Sequence, residues 1–154
     1  MIVGVISDTH GQLRREAAEA LRGVDRILHA GDVGDPAILD ALARIAPITA
    51  IRGNVDTESW AQILPETEVV EVGGVSIYIL HDLGRLDLKP EAAGIGVVVY
   101  GHSHQPKIEE KSGVLYFNPG SAGPRRFKLP VSVGKLVIKG GKVRGEIIRL
   151  LNGH

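Results

Sequence analysis

Aspartate, asparagine and histidine recur along this 154-residue chain in an order that could do metal chemistry. Asp8-Thr-His10, Gly31-Asp32, Gly53-Asn54 and Gly101-His-Ser-His104 follow one another, with a lone His81 before the last. Together they offer two carboxylates, an amide oxygen and four imidazoles, enough donors for two divalent cations. Taken singly, each motif also has a plainer reading. Asp8 and His10 lie two residues apart and point the same way in extended backbone, but an aspartate after a strand also bonds local amides. Gly31-Asp32 and Gly53-Asn54 are ordinary turn dipeptides. The paired imidazoles of His102 and His104, introduced by a glycine, form the stronger signal; as plain loop histidines they would be polar and exposed. Asp8, Asp32, His81 and His102 all follow apolar runs, and Asn54 follows another. That shared placement separates a site from scattered turns.

The elements that must position them are legible. Ile2 to Ser7 is a short β-branched run that suits a buried strand, and Leu13 to Leu21 reads as a helix stopped by Gly23. Arg26 to Ala30 repeats the strand pattern. Asp35-Pro36 offers an N-cap with proline at the first helical position, followed by a helix over Ala37 to Arg44. Ile48 to Ile51 makes a third strand, completing a βαβαβ pattern of parallel strands with crossover helices. Glu66–Val72 and Val75–Leu80 flank Gly73-Gly74 as a hairpin. Leu86 to Ala93 is weakly helical, and Val97 to Tyr100 is another buried strand. Hairpins are expected from Lys107–Lys111 with Val114–Asn118, and from Val131–Ile138 with Lys142–Leu150. The pattern predicts a single domain over 1–154, an α/β fold built as a mixed two-sheet sandwich flanked by helices. The ligand motifs then fall outside the carboxyl ends of strands, where open α/β sheets collect ligands.

Composition bounds the remainder. Eighteen basic and eighteen acidic residues cancel, so no diffuse positive field invites nucleic acid or an anionic membrane. Arg125-Arg126-Phe-Lys128 is the one cationic cluster, read first as a solvated loop. The absence of cysteine removes disulfides, thiolate metal sites and thiol nucleophiles together. The amino terminus lacks the apolar core of a signal peptide, and no run approaches the ~18 apolar residues of a membrane span, which predicts a cytoplasmic protein. Trp60 and Phe127 are the aromatic candidates for a partner surface, with core burial or a loop as the default. His29 is read as structural support and His154 as a terminal bystander.

As an ordered set, Ile-Ser-Asp8-Thr-His10-Gly, His29-Ala-Gly-Asp32-Val, Arg-Gly-Asn54-Val-Asp56, His81 and Gly-His102-Ser-His104-Gln-Pro resemble the calcineurin-like metallophosphoesterases. Asn118-Pro-Gly-Ser121 followed by Pro124-Arg125 is similar to the small single-domain phosphodiesterase branch of that superfamily. The resemblance implies that Asp8, His10, Asp32 and His104 hold a first metal. It gives Asp32, Asn54, His81 and His102 to a second, with Asp32 bridging. Asn54 and His102 would also act on the substrate. It implies hydrolysis of a phosphodiester by a metal-bridging hydroxide, with Mn²⁺ first among the metals. A sulfur-free set of nitrogen and oxygen donors equally suits Fe²⁺, Zn²⁺, Co²⁺ or Ni²⁺. Because imidazole ligates in its neutral form, activity is expected to fall below about pH 6 with loss of metal.

The chain departs from the family where a histidine, or in small phosphodiesterases a cysteine, follows the Gly-Asn pair. Val55 stands there and cannot protonate a leaving group, so esters with good leaving groups should suffer least. Asp56 is left between a turn carboxylate and a catalytic role. Arg52 is left between phosphate contact and capping a strand end, Asn118 between site lining and a tight Asn-Pro-Gly turn with Gly120, and Arg125 is a candidate for lining the site. Two alternatives stand beside the diesterase. One is a protein-binding scaffold like the small retromer subunit, which has the same fold and an apolar residue after Gly-Asn; the other is a phosphomonoesterase. The expected partner is a small phosphodiester, with a nucleic-acid substrate left open and a homo-oligomer permitted by an exposed hairpin edge.

Overall fold

Short β-branched runs pair into two five-stranded sheets whose inner faces share one core. The computed structural model describes residues 1–126 and 128–150; Phe127 and His154 therefore lie outside the described residues. In chain order the strands are β1 (Ile2–Ile6), β2 (Arg26–His29), β3 (Ile48–Ala50), β4 (Thr67–Val72), β5 (Val75–Leu80), β6 (Val97–Val99), β7 (Lys107–Lys111), β8 (Val114–Asn118), β9 (Ser132–Lys139) and β10 (Lys142–Arg149). One sheet runs β10-β9-β1-β2-β3 and the other β4-β5-β6-β8-β7. β1, β2 and β3 are parallel, as are β5, β6 and β8, while the hairpin partners β4, β7, β9 and β10 run antiparallel. The mixed two-sheet sandwich expected from the sequence is the observed fold.

The parallel strands are apolar on both faces because both faces are covered. Val5, Leu28, Ile77, Ile79, Val99, Phe117 and Leu136 meet between the sheets. Helix α1 (Arg15–Ala20) and helix α2 (Pro36–Ala43) cover the outer face of the first sheet through Ala17, Ile38 and Leu42. Trp60, partly buried, packs against the margin of that same layer. On the outer face of the second sheet, Tyr78, Leu80, Val98 and Tyr100 receive Leu83, Leu86 and Leu88. Each fully buried Leu or Ile contributes roughly 1.5–3 kcal/mol.

Local signals explain most boundaries. Asp35 caps α2, its side chain accepting from the Ala37 N–H at 2.9 Å, with Pro36 at the first helical position. α1 begins two residues later than the propensity of 13–21 suggests. Arg14 is extended at φ −69° and ψ 143°, and its Nε donates to the Gly123 carbonyl at 3.1 Å. The helix expected over Leu86–Ala93 is absent. A 3₁₀ turn over Leu83–Arg85 stands before it, and only single-turn bonds close around Pro90, since burial of Leu83, Leu86 and Leu88 overrides weak helix propensity. A second 3₁₀ turn, Ser59–Ile63, carries no periodic signal in the sequence.

Phe117 lies fully buried between the sheets with its ring against Gly134 of β9 and Gly145 of β10. A Cβ at Gly134 would run into that ring, which packing prevents from moving. Gly134→Ala is expected to cost at least about 1–3 kcal/mol of overpacking strain. A urea melt checks it, and unchanged stability would mean the ring has room to shift.

Candidate metal centre

Every ligand motif sits just past the carboxyl end of a parallel strand. Asp8 follows β1, Asp32 follows β2, Asn54 follows β3, His81 follows β5, and His102 and His104 follow β6. The loops after β1 and β2 are laced together, with the amides of Asp8, His10 and Gly11 donating to the carbonyls of Gly31, Asp32 and Val33 at 3.0, 2.9 and 2.8 Å. This lacing holds side chains in backbone conformations they rarely adopt. Asp8, His10, Asp32, His102 and His104 have φ of 56°, 48°, 56°, 73° and 63°, and among non-glycine described residues only Ser112 joins them. Each such residue costs on the order of 1–3 kcal/mol, and such strain clusters where the surrounding structure dictates geometry.

Two groups of donor atoms result. Asp8, His10 and His104 form one; Asp32, His81 and His102 form the other, with every donor atom within 4.8 Å of its group-mates. Asp8 Oδ1 is 3.6 Å from His10 Nε2 and 3.4 Å from His104 Nε2, and it also lies 3.7 Å from His81 Nε2 of the other group. Asp32 Oδ2 faces both groups, 3.0 Å from His81 Nε2 and 3.7 Å from His10 Nε2. Asn54 is exposed and shares a cavity wall with His81 and His102. The structure thus brings all seven sequence-derived ligand candidates to one edge.

Apart from His10 Nε2 and His104 Nε2, which approach to hydrogen-bonding distance at 3.3 Å, the atoms converge without satisfying one another. Asp8 Oδ1 and His81 Nε2 are buried and have no hydrogen-bond partner among the described residues. The Nε2 of His81 stands close to Asp32 yet lacks the alignment of a hydrogen bond, as expected of two donors facing a common cation. Its other nitrogen, Nδ1, donates to the Ala30 carbonyl at 2.7 Å, which leaves the Nε2 lone pair free to ligate. This donor set fits one or two divalent metal ions.

Supporting residues fix the carboxylates. Ser7 Oγ donates to Asp8 Oδ2 at 2.7 Å and the His102 amide donates to the same oxygen at 3.1 Å, leaving Oδ1 to face the imidazoles. The Val55 amide donates to Asp32 Oδ1 at 3.0 Å, so this valine holds the aspartate by its backbone while its side chain stays exposed. Close approach explains two of the motif glycines. A Cβ on Gly53 would collide with Asp32, and one on Gly101 with Ser7 and Asp8. Asn118 donates through Nδ2 to the Gly101 carbonyl and to Ser103 Oγ, so it braces the His102–His104 loop as well as closing its own turn onto the Gly120 amide. Arg52 donates to the Leu64 carbonyl at 3.0 Å and pairs with Glu66 at 3.3 Å, committing it to structure. Asp56 accepts from the amides of Val33, Gly34 and Gly53, which makes it a brace between two loops.

The electrostatics follow from this crowding. Burial opposes ionisation of Asp8 most strongly, but His10, His104, His81 and Ser7 outweigh it and hold the carboxyl well below the usual range. Burial likewise opposes Asp32, and His81 with the Val55 amide holds it down. His10 is pushed up mainly by Asp8, against burial and the charge of Arg126. Burial alone would lower His81, yet Asp32, Asp8 and the Ala30 carbonyl raise it. Protons therefore compete for these imidazoles already above pH 6.5, higher than the threshold near 6 that unperturbed histidine implies.

His29 behaves oppositely. It is fully buried, accepts from the Gly31 amide at Nδ1 (3.1 Å) and lies 3.1 Å from Thr9 Oγ1 at Nε2. Thr9 spends its hydroxyl proton on the Val33 carbonyl, so Nε2 must carry the imidazole proton and the ring is neutral. Burial pushes its pKa down to about 4. In the metal-free protein, stability should fall as pH drops from 6.5 towards 4, by up to about 3 kcal/mol, because only the unfolded chain binds the proton. The raised histidines contribute fully below 6.5 and the lowered aspartates fully above 3.8, so neither masks this window. Urea melts at pH 6.5, 5.5 and 4.5 check it: His29→Gln should flatten the slope, and a slope that persists contradicts the assignment.

Comparison with known proteins places the whole chain in a family. Residues 1–141 match the calcineurin-like phosphoesterase superfamily domain. A probable metallophosphoesterase of Methanothermobacter thermautotrophicus is 35% identical over 161 residues, covering 97% of this chain and 92% of that protein. The crystal structure of a novel archaeal phosphodiesterase superposes with a TM-score of 0.80 at 26% identity, covering 96% of this chain and all (100%) of the other. Vps29 of Chaetomium thermophilum superposes with a TM-score of 0.78 at 20% identity over 97% of this chain and 95% of its own. Ligand chemistry, strand-end placement and whole-chain similarity lead to one conclusion: the chain belongs to the calcineurin-like phosphoesterase superfamily.

Proposed function

We propose that the protein is a dinuclear-metal phosphodiesterase in which Asp32 bridges the two ions. The observation that supports this reading is that carboxylate oxygens stand between the two donor groups: Asp32 Oδ2 lies 3.0 Å from His81 Nε2 and 3.7 Å from His10 Nε2, a closer approach than that of Asp8 Oδ1, which lies 3.4 Å from His104 Nε2 and 3.7 Å from His81 Nε2. Asp8, His10 and His104 would hold the first ion and Asn54, His81 and His102 the second, with manganese as the first metal to load. Such ions supply Lewis acidity towards phosphoryl oxygens and acidify water.

The chain's own residues do the rest. Ser7 and the amides of Val55 and His102 orient the carboxylates, and Asn54 and His102 stand at the cavity end where an ester oxygen must arrive. Val55 offers no proton there, so the leaving group must depart largely unassisted, which favours acidic alcohols such as nitrophenol.

Among the described residues no helix is long and apolar enough to cross a membrane, in keeping with a small diffusible substrate. The likeness to Vps29 keeps a scaffold role in view, but a scaffold has no need of left-handed backbone at five donor residues, nor of a buried Asp8 Oδ1 and His81 Nε2 left without partners. The manganese-loaded protein should hydrolyse bis-p-nitrophenyl phosphate faster than p-nitrophenyl phosphate. The reverse order would make it a monoesterase, and turnover of neither would favour the scaffold.

A further inference from the structure

Beside the second donor group the molecule opens into a cavity of about 770 Å³, one end of which is formed by Asn54, His81 and His102. The buried His81, with its unpartnered Nε2, belongs to that end. The volume exceeds what a phosphoryl group needs and falls in the range of pockets that enclose an organic ligand.

The walls define which group could enter. Arg52 and Glu66 pair with each other and hold the loop between β3 and β4, which leaves Arg85, Asp82 and Asp87 as the other charged residues lining the cavity. Asp82 spends Oδ1 on the Gly84 amide and keeps its other oxygen. A second phosphate or carboxylate on the substrate would meet two carboxylates against one guanidinium. The cations Arg125, Arg126 and Lys128 do not line this cavity. Tyr78 is only 7% exposed, so the cavity offers no Tyr, Phe or Trp ring for stacking. Ionised carboxylates only accept hydrogen bonds, and their complement is a group that donates several.

We propose that this cavity is the subsite for a neutral, hydroxyl-bearing ester group, a sugar or other polyol, whose hydroxyls are received by Asp87 and Asp82 with Arg85 beside them. The proposal rests on the phosphodiesterase reading for the position of the phosphate, but it concerns binding and can be tested without turnover.

Three p-nitrophenyl phosphodiesters whose second ester is glyceryl, ethyl or carboxyethyl keep the leaving group constant. They are presented to the manganese-loaded full chain, with affinity read as KM where turnover occurs and by calorimetry where it does not. The glyceryl ester should bind about tenfold more tightly than the ethyl ester, in line with hydrogen bonds to charged acceptors, and the carboxyethyl ester more weakly. Asp87→Ala should erase the glyceryl advantage, and Asp87→Lys should turn the carboxyethyl penalty into a gain. Equal affinities, or a preference untouched by both substitutions, would overturn the subsite even if all three esters are hydrolysed. A glyceryl preference that Asp87→Ala erases, without hydrolysis, would keep the subsite and remove the phosphodiesterase. Absence of both removes both.

Discussion

Asp32→Asn is expected to lower diester turnover by more than about a hundredfold, beyond what loss of a supporting partner to a metal ligand costs. The substitution is nearly isosteric. The substituted amide would keep an oxygen for the Val55 N–H, which now donates to Oδ1 of the aspartate at 3.0 Å, so the loop after β2 should hold its shape. What disappears is the negative charge on the side chain whose Oδ2 faces His81 at 3.0 Å and His10 at 3.7 Å. Affinity should therefore drop at both donor groups together. Asp8→Asn is the comparison: Asp8 Oδ1 lies nearer His104 and His10 of the first group, at 3.4 and 3.6 Å, than His81 of the second, at 3.7 Å, so its loss should weaken the first group more. Calorimetric titration with Mn²⁺ separates the two cases. An Asp32→Asn protein that still binds one ion with unaltered affinity would show that this carboxylate serves a single group.

Asp56→Ala should be the most damaging substitution for stability near the site. The carboxylate is 3% exposed and accepts from Val33 and Gly53 through Oδ2 at 3.0 and 2.9 Å, and from Gly34 through Oδ1 at 3.0 Å. Alanine would leave those three amides without their partner, at about 1–3 kcal/mol each where water cannot replace it. Total stability of a domain this size is on the order of 5–15 kcal/mol, so a loss of roughly 3–6 kcal/mol should lower Tm by about 10–20 °C. The brace also joins the loop carrying Asp32 to the loop carrying Asn54, so affinity at the second donor group should fall even at temperatures where the variant is folded. Asp56→Asn, which keeps one acceptor oxygen but aims an amide at backbone N–H groups, should lie between. Thermal melts and metal titration check both effects, and an alanine variant with native Tm and metal affinity would show that water takes over the three amides.

Much of this site is readable in the sequence because its ligands obey topology. A β-branched run predicts a parallel strand, and a polar residue just beyond it is carried to the sheet edge; Asp8, Asp32, His81 and His102 all satisfy that rule. The sandwich is legible for a similar reason, since Gly73-Gly74 and Gly140-Gly141 mark hairpins that only two sheets can absorb. The supporting residues are harder. Asp56 reads as a turn carboxylate because its three partners come from loops after different strands, and sequence spacing does not encode their meeting. Thr9 is no easier: Asp8 and His10 on either side of it are left-handed and lie beyond the end of β1, so strand alternation does not direct its hydroxyl towards His29. The left-handed backbone of Asp8, His10 and Asp32 carries no local signal at all, because amide bonds between neighbouring loops impose it. The segment from Leu86 to Ala93 fails in the opposite direction: its weak helical propensity is real, but Leu83, Leu86 and Leu88 gain more from lying flat on the second sheet.

The bridging role of Asp32 is tested most directly by anomalous scattering from crystals of the full chain soaked in manganese. Two peaks about 3.5–4 Å apart, with the Asp32 carboxylate between them, are the predicted result. A single peak held by Asp8, His10 and His104 alone, with Asp32 turned away, would contradict the account.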